Sequence, residues 1–243
     1  MTRSSLACAV LLAAGGLSGC VRREAAPGPA APPSRCATEA GCAAGCGAGE
    51  ADACARQAEL AIERGALARE RAAVSGLVQR ACAGGVARAC ARSAWLSREA
   101  DGGVDPAALA LARARLPGAC AAGEAESCEW WARLGREPSF GVDAGTAAQD
   151  ALAGYEARCA AADALGCVRA GALLAEGQLV EREVARSISR MSRACDLGLA
   201  GGCAAVGLRY LSGDGVTANR AAAERYFRRA GELSGALDGG TPR

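Results

Sequence analysis

The apolar positions of this chain fall on repeated helical stripes, not on an alternating strand-like pattern. Take Cys82, Cys120, Cys159, Cys195 and Gly231 as equivalent points. Four residues before each stand Val78, Leu116, Tyr155, Met191 and Phe227, all large and apolar or aromatic. Eight residues before each stand Val74, Ala112, Ala151, Ser187 and Ala223, all small. Positions four apart share one face of an α-helix. The pattern therefore predicts a helix that turns one large and one small residue inward. A second stripe follows, with Ala170, Gly171 and Leu174 after Cys167, and Val206, Gly207 and Tyr210 after Cys203. It predicts another helix. Between the two stripes lie turn sequences: "DGGV" at 101–104, "FGV" at 140–142, "GQLV" at 177–180 and "GDGV" at 213–216. Asp105-Pro106 supplies an N-cap and first helical position, and "VDAG" (142–145) and "VTAN" (216–219) offer similar caps.

The cysteines give the period. Of 14, ten form five pairs of identical C-x7-C spacing: Cys46/Cys54, Cys82/Cys90, Cys120/Cys128, Cys159/Cys167 and Cys195/Cys203. Successive pairs begin 36, 38, 39 and 36 residues apart, a period typical of helical-hairpin solenoids. Beyond the last pair, Gly231 and Gly239 occupy the next two cysteine positions. The two thiols are lost together, as expected if they serve only each other. Along a straight helix, positions eight apart lie about 12 Å from one another, whereas a disulfide needs α-carbons within roughly 7 Å. If each pair is bonded, its seven intervening residues must turn, and each intervening stretch contains glycine. The alternatives are metal binding and thiol redox chemistry, although zinc ligands usually lie two to four residues apart and redox pairs use C-x-x-C. Cys36 and Cys42 are expected to pair with each other, but the four cysteines from 36 to 54 allow three connectivities.

The chain start predicts export. Arg3 precedes an apolar run from Leu6 to Gly16 that is too short for a permanent span. Leu17-Ser18-Gly19-Cys20 resembles the bacterial lipobox. That resemblance implies a signal peptide at 1–19 and a lipidated Cys20, with Val21 after it favouring the outer membrane, on the side facing the periplasm. A lipid chain adds about 0.8 kcal/mol of membrane affinity per buried methylene. The Pro/Ala-rich stretch after Cys20 reads as a flexible tether, so residues 20–45 are assigned to a linker. Cys8 leaves with the signal peptide, and twelve cysteines remain for an oxidising compartment.

Composition narrows the function classes. Apolar residues make up 51% of the chain but aromatics only 3%, so the core is built from small side chains and favours closely packed helices. Net charge is +2, too little to suggest a nucleic-acid partner. There is no His, and all 28 basic residues are Arg. Ser-His-Asp and Cys-His catalysis are thereby excluded, along with His-ligated zinc and the S-x-x-K and K-T-G motifs. No cofactor is expected.

The segment "AAVGLRYLSGDGVTANRAAAERYFRRA" (204–230) resembles the Sel-one-like repeat, a relative of the tetratricopeptide repeat. The C-x7-C spacing is similar to that of the cysteine-rich, Hcp-like bacterial subclass. The resemblance is strongest in the C-terminal half; Ser93-Ala94 and Trp131-Ala132 replace the usual Leu-Gly, and the first unit lacks the Gly-Val turn. It implies an all-α fold, a right-handed α/α solenoid of about five hairpins over 46–239, with a tail at 240–243. It also implies a non-catalytic scaffold that binds a protein or peptide on its concave face. The alternative is a β-lactamase-like, penicillin-binding or peptidoglycan-binding role. On the face opposite the buried stripe, the candidate partner-binding residues are Arg92, Trp95, Trp130, Arg133, Arg169 and Arg209, with Glu99, Glu137 and Glu176 beside them. A solvated face with i,i+4 pairs such as Arg133–Glu137 is the plainer reading of the same residues.

Overall fold

Each C-x7-C loop folds into the same joint. The first cysteine lies in the last turn of a helix, and its carbonyl accepts from a residue in the left-handed region: Gly49 (φ 89°), Gly85 (102°), Gly123 (91°), Ala162 (64°) and Gly198 (90°). The next residue donates to the carbonyl preceding that cysteine (Glu50 to Gly45, Val86 to Ala81, Glu124 to Ala119, Asp163 to Arg158 and Leu199 to Ala194). This pair of bonds is a Schellman helix end. The next helix begins at once and brings the second cysteine back beside the first. Ala162 stands where the other four joints have glycine. It is the one non-glycine residue with positive φ among those described.

All five pairs are disulfides: Cys46–Cys54, Cys82–Cys90, Cys120–Cys128, Cys159–Cys167 and Cys195–Cys203, with Cα–Cα distances between 4.4 and 4.6 Å. Spacing alone left metal binding and thiol redox chemistry open at these positions; the bonded sulphurs hold neither a free thiol nor a metal-ligating thiolate. Cys54 and Cys90 show more than their spacing predicts. Each is buried, and its Sγ rests against the carbonyl oxygen of its own partner, Cys54 on Cys46 at 3.7 Å and Cys90 on Cys82 at 3.6 Å. A disulfide sulphur carries no proton, so these are packing contacts and not hydrogen bonds. The Cys82 carbonyl instead accepts from Arg115 Nη1 at 2.7 Å, and the same nitrogen reaches the Cys90 Sγ at 3.6 Å. Arg115 on the following hairpin thus seals the Cys82–Cys90 joint. Cys54 and Cys90 are structural residues, closed to a partner or an oxidant.

The structure is a computed structural model describing residues 36, 38–63, 65–101 and 103–237, all within one compact unit. The signal peptide (1–19), Cys20, Gly239, the tail (240–243) and the Glu99 side chain lie outside the described residues. The described residues contain eleven α-helices and no strand: α1 (Glu39–Gly47), α2 (Ala51–Glu63), α3 (Arg71–Ala83), α4 (Ala87–Asp101), α5 (Pro106–Ala121), α6 (Ala125–Arg136), α7 (Ala147–Ala160), α8 (Ala164–Glu176), α9 (Val184–Asp196), α10 (Ala200–Ser212) and α11 (Arg220–Leu237). Each helix packs on its neighbour in sequence. Alternate helices also touch, α3 on α5, α4 on α6, α5 on α7 and α7 on α9. Contacts confined to near neighbours in this way make the stack a solenoid of hairpins.

The segment assigned from sequence to the linker contains a helix. The Cys36–Cys42 disulfide and the Thr38 N-cap, whose Oγ1 accepts from the Gly41 N–H at 3.1 Å, hold α1 in place. The first unit has no Gly-Val turn; it leaves α2 through Gly65 (φ 76°) and a 3-10 turn at Ala66–Ala68.

The two stripes meet as their spacing implies. Val74, Ala112, Ala151, Ser187 and Ala223 are all buried, as are Val78, Leu116 and Tyr155. In the last two hairpins the large residue faces a glycine. A Cβ at Gly171 would lie 3.1 Å from Met191, and one at Gly207 would lie 2.8 Å from the Phe227 ring. These glycines set how closely α8 approaches α9 and α10 approaches α11.

Staples and close approach can each be tested. Denaturing, non-reducing alkylation of the protein folded under oxidising conditions should label none of the twelve cysteines from Cys36 to Cys203. Replacing Cys120 and Cys128 together by Ala should cost about 2–3 kcal/mol in urea unfolding; free thiols in the wild type would refute the pairing. Gly207→Ala should destabilise by about 1–3 kcal/mol through overpacking against Phe227. Gly76→Ala, where a Cβ meets nothing within 4 Å, should be neutral or stabilising by up to about 1 kcal/mol. Equal effects at the two sites would contradict the close approach.

Candidate functional site

The even-numbered helices carry a ladder of opposite charges. At the position two residues before the second cysteine, successive repeats place Asp52, Arg88 and Glu126. Stacking of the repeats brings these side chains into line. Arg88 on α4 lies 3.6 Å from Asp52 and 3.3 Å from Glu59 on α2, and 3.7 Å from Glu126 on α6. Burial disfavours the Arg88 charge, but Glu59, Glu126 and Asp52 outweigh it and hold the pKa above its usual value. Glu126 continues to Arg158 on α7 at 3.1 Å, and Arg158 donates to Asp163 at 2.7 Å. Asp163 in turn caps α8, accepting from the Leu165 and Gly166 N–H groups.

A second rung lies one helical turn further along. Glu129 is buried, and both its oxygens are engaged: Oε1 accepts from Arg133 Nε at 2.9 Å and Oε2 from the Tyr155 hydroxyl at 2.7 Å. Burial, followed by the nearby Glu129 charge, pushes the Tyr155 pKa well up, so its hydroxyl remains a donor. Arg133 also reaches Glu176 on α8 at 3.2 Å. The Arg133–Glu137 pair expected from i,i+4 spacing is replaced by these contacts, and Glu137 instead pairs with Arg98 at 3.0 Å. Glu137 lies just past the end of α6 with an extended backbone, which turns it away from Arg133.

The two tryptophans, placed by sequence opposite the buried stripe, are half-buried. Trp95 stacks on the buried Phe140 at 5.6 Å and meets Trp130 edge-on at 6.3 Å. The Arg92 guanidinium lies over Trp130 at 5.1 Å, and that of Arg98 over Trp95 at 5.9 Å. Phe140 comes from the turn between α6 and α7, so the turn within this hairpin closes the aromatic cluster. Arg92 and Arg169, on α4 and α8, are half-buried; burial lowers the Arg92 pKa, whereas at Arg169 burial is outweighed by Tyr155, Glu129, Glu126 and Glu59, which raise it. Arg209 lies elsewhere. It pairs with Asp214, whose two oxygens also take Arg182 at 2.9 Å, and this contact ties the turn after α10 to the turn after α8.

The structure thus joins Arg92, Trp95, Trp130, Arg133, Arg169 and Glu176 into one face and leaves Arg209 out. Sequence reasoning misses Glu59, Arg88, Glu126, Glu129, Tyr155 and Phe140 as members of the site. For Arg88 and Glu126 a signal exists in the alternating charge at one repeat position; the spacing reads Tyr155 only as core.

Neither a family model nor a curated protein matches the chain. Among solved structures it is similar to c5321, a protective antigen of uropathogenic Escherichia coli with an SLR fold, at 17% identity and a TM-score of 0.37; the match covers 82% of this chain and 44% of that one. It is also similar to the Sel1 repeat protein of Oxalobacter formigenes, at 16% identity and a TM-score of 0.39, over 84% of this chain and 56% of that one. Both belong to the repeat type that the sequence resembles. The chain spans about half the length of these structures. Its solenoid character follows from its own helix order and disulfides, not from these loose superpositions.

Asp163 gives a prediction on pH. Partial burial works against its charge, but Arg158 and the Gly166 and Leu165 N–H groups outweigh this and hold its pKa below the usual 3.8. Its stabilising contribution is therefore full above that value and is lost as the pH falls towards the lowered folded-state value. Asp163→Asn keeps a capping side chain but not the ion pair. The variant should melt below the wild type at neutral pH, and the gap should close as the pH falls below about 4. A gap independent of pH would exclude the ion pair as its source.

Proposed function

We propose that this chain is a non-catalytic interaction scaffold that binds a protein or peptide on the concave face lined by α2, α4, α6 and α8. In this reading a lipid on Cys20 tethers it to the outer membrane, facing the periplasm. The observation that carries the reading is the gathering of Arg92, Trp95, Trp130, Arg133 and Arg169 from successive repeats onto one half-buried face. Arg and Trp are the residues most often found at the energetic centres of interfaces. The pairing of all twelve cysteines from Cys36 onward as disulfides supports an oxidising compartment.

A photo-crosslinking residue at Ala172, the repeat position of Trp95 and Arg133, tests the face in the native envelope. A discrete crosslinked product is expected from position 172 and none from the exposed Arg193 on α9. Products from both positions, or from neither, would reject the assigned face. Cys20→Ala should move the protein from the membrane fraction to the soluble fraction; retention on the membrane would reject the lipid tether. Turnover of nitrocefin or muropeptides by the purified protein would favour an enzyme over a scaffold.

A further inference from the structure

The even-numbered helices reach forward along the stack from two fixed positions. Five residues after the second cysteine, Glu59 accepts from Arg88 on α4 at 3.3 Å, Trp95 meets Trp130 on α6, and Arg133 pairs with Glu176 on α8 at 3.2 Å. Eight residues after it, Arg98 pairs with Glu137 at 3.0 Å and Arg136 donates to the Gln178 carbonyl. Every one of these partners belongs to the next hairpin. In the last repeat the two positions hold Leu208 and Leu211, and no further hairpin follows among the described residues. They are 58% and 55% exposed, the only large apolar side chains that the described residues leave open. The opposite end of the stack lacks the matching half. Six residues after the second cysteine, Leu96, Leu134 and Leu173 are buried in hairpins that have a predecessor. Leu60 on α2 holds this position in the first repeat, with no even-numbered helix before it, and is only half-buried. The odd-numbered helices carry the charge of each end. Three residues before the first cysteine, Glu156 on α7 reaches forward to Arg186 and Arg190 on α9. Its equivalent on α11 is Arg228, which is exposed and, like the exposed Arg225, in no ion pair among the described residues. At the other end Glu39 is the single charged side chain of α1, and the exposed Glu50 and Asp52 follow it at the first joint.

We propose that a second copy of this chain stacks head to tail on the first, with α10 and α11 of one copy against α1 and α2 of the next. Leu208 and Leu211 then meet the half-buried Leu60, so the contact between copies repeats the contact between hairpins. Arg225 and Arg228 face the end that carries Glu39, Glu50 and Asp52. Charge selects this orientation. A basic end attracts an acidic one, whereas two copies joined by like ends would set Arg225 and Arg228 against their own equivalents. The two surfaces differ, so the contact is heterologous and leaves a free end on each side for further copies. This goes beyond the scaffold reading and does not depend on it; stacking would lengthen the face that the even-numbered helices line.

A photo-crosslinking residue in place of Leu211, in the full chain in its native envelope, tests the contact, with the bridged peptides identified by mass spectrometry. The expected product is a ladder of this chain alone, bridged from position 211 to the peptide of a second copy that contains Leu60. Leu208→Asp, at an exposed site that the fold does not need, should lower the yield about tenfold or more, because stacking would bury its charge. Glu39→Arg with Glu50→Arg should lower it about threefold, and less so at high salt. Two tagged copies then separate head-to-tail from like-end association. One carries the crosslinker at 211 together with Glu39→Arg and Glu50→Arg; the other carries Leu208→Asp and Leu211→Asp. Each has one working end, so a bridge from the first copy to the second is expected, and the product should stop at two chains. The proposal is overturned if position 211 bridges to α10 or α11 of a second copy, to a different protein, to lipid, or to another part of its own chain. It is also overturned if no product forms, or if Leu208→Asp leaves the yield unchanged. None of these outcomes bears on the crosslink from position 172, so the scaffold reading stands or falls separately.

Discussion

The structure depends on a single joint: a helix that ends in a left-handed residue and is bridged across that end by a disulfide. The Schellman bonds satisfy carbonyls that the helix end would otherwise leave open. The disulfide then fixes the angle at which the next helix departs. The loop is short, so the bond removes about 2–3 kcal/mol of unfolded-chain entropy in the chain-entropy model. Five repetitions of the joint, from Cys46–Cys54 to Cys195–Cys203, set the direction of helices α2, α4, α6, α8 and α10. The side of the stack that gathers Arg, Glu and Trp is therefore a consequence of the staples.

A covalent joint also accounts for the poverty of large side chains. Alanine and cysteine dominate the buried set, with Phe140 and Tyr155 its only fully buried aromatics among the described residues. An alanine-rich interface buries little apolar area per residue. Its advantage is close approach, as at Gly207 against Phe227 and Gly171 against Met191. Disulfides compensate for the small hydrophobic return in a thin, open-ended stack. The final hairpin, where Gly231 replaces a cysteine, relies more on that approach and on the Tyr210–Tyr226 stack at 5.7 Å.

Repetition made the fold legible in the sequence. One cysteine interval, repeated five times, carries both the period and the joint, and the residues four and eight positions before each first cysteine mark the buried face. What the interval does not carry is the surroundings of each bond. The contact of Arg115 with the Cys82–Cys90 joint comes from the next hairpin and leaves no trace in the spacing. The α1 helix was hidden although its Cys46 carries the repeated interval, because Cys42 and Thr38 stand four and eight residues earlier where the other units have the large and small stripe residues; this nine-residue element is held instead by the Thr38 cap and the Cys36–Cys42 disulfide. The site was only half legible. Residue type pointed to the arginines and tryptophans, but their partners depend on contacts between repeats, which are invisible to a reading made along a single helix. The Arg133–Glu137 expectation failed for a local reason as well: intrahelical spacing offered both Glu129 and Glu137, but Glu137 falls past the end of α6 on extended backbone, so Arg133 pairs with Glu129 on its own helix and with Glu176 on the next repeat.

The same stacking explains how so many charges can share a half-buried face. An isolated buried charge is costly, whereas a charge held between two opposite ones recovers much of its lost hydration. Asp52, Arg88 and Glu126 form such a series along the stack axis, and Arg158 and Asp163 extend it. A one-repeat slip in packing would set like charges against each other. The ladder therefore specifies register in addition to any stability it contributes, a task that an alanine-rich interface performs poorly by shape alone.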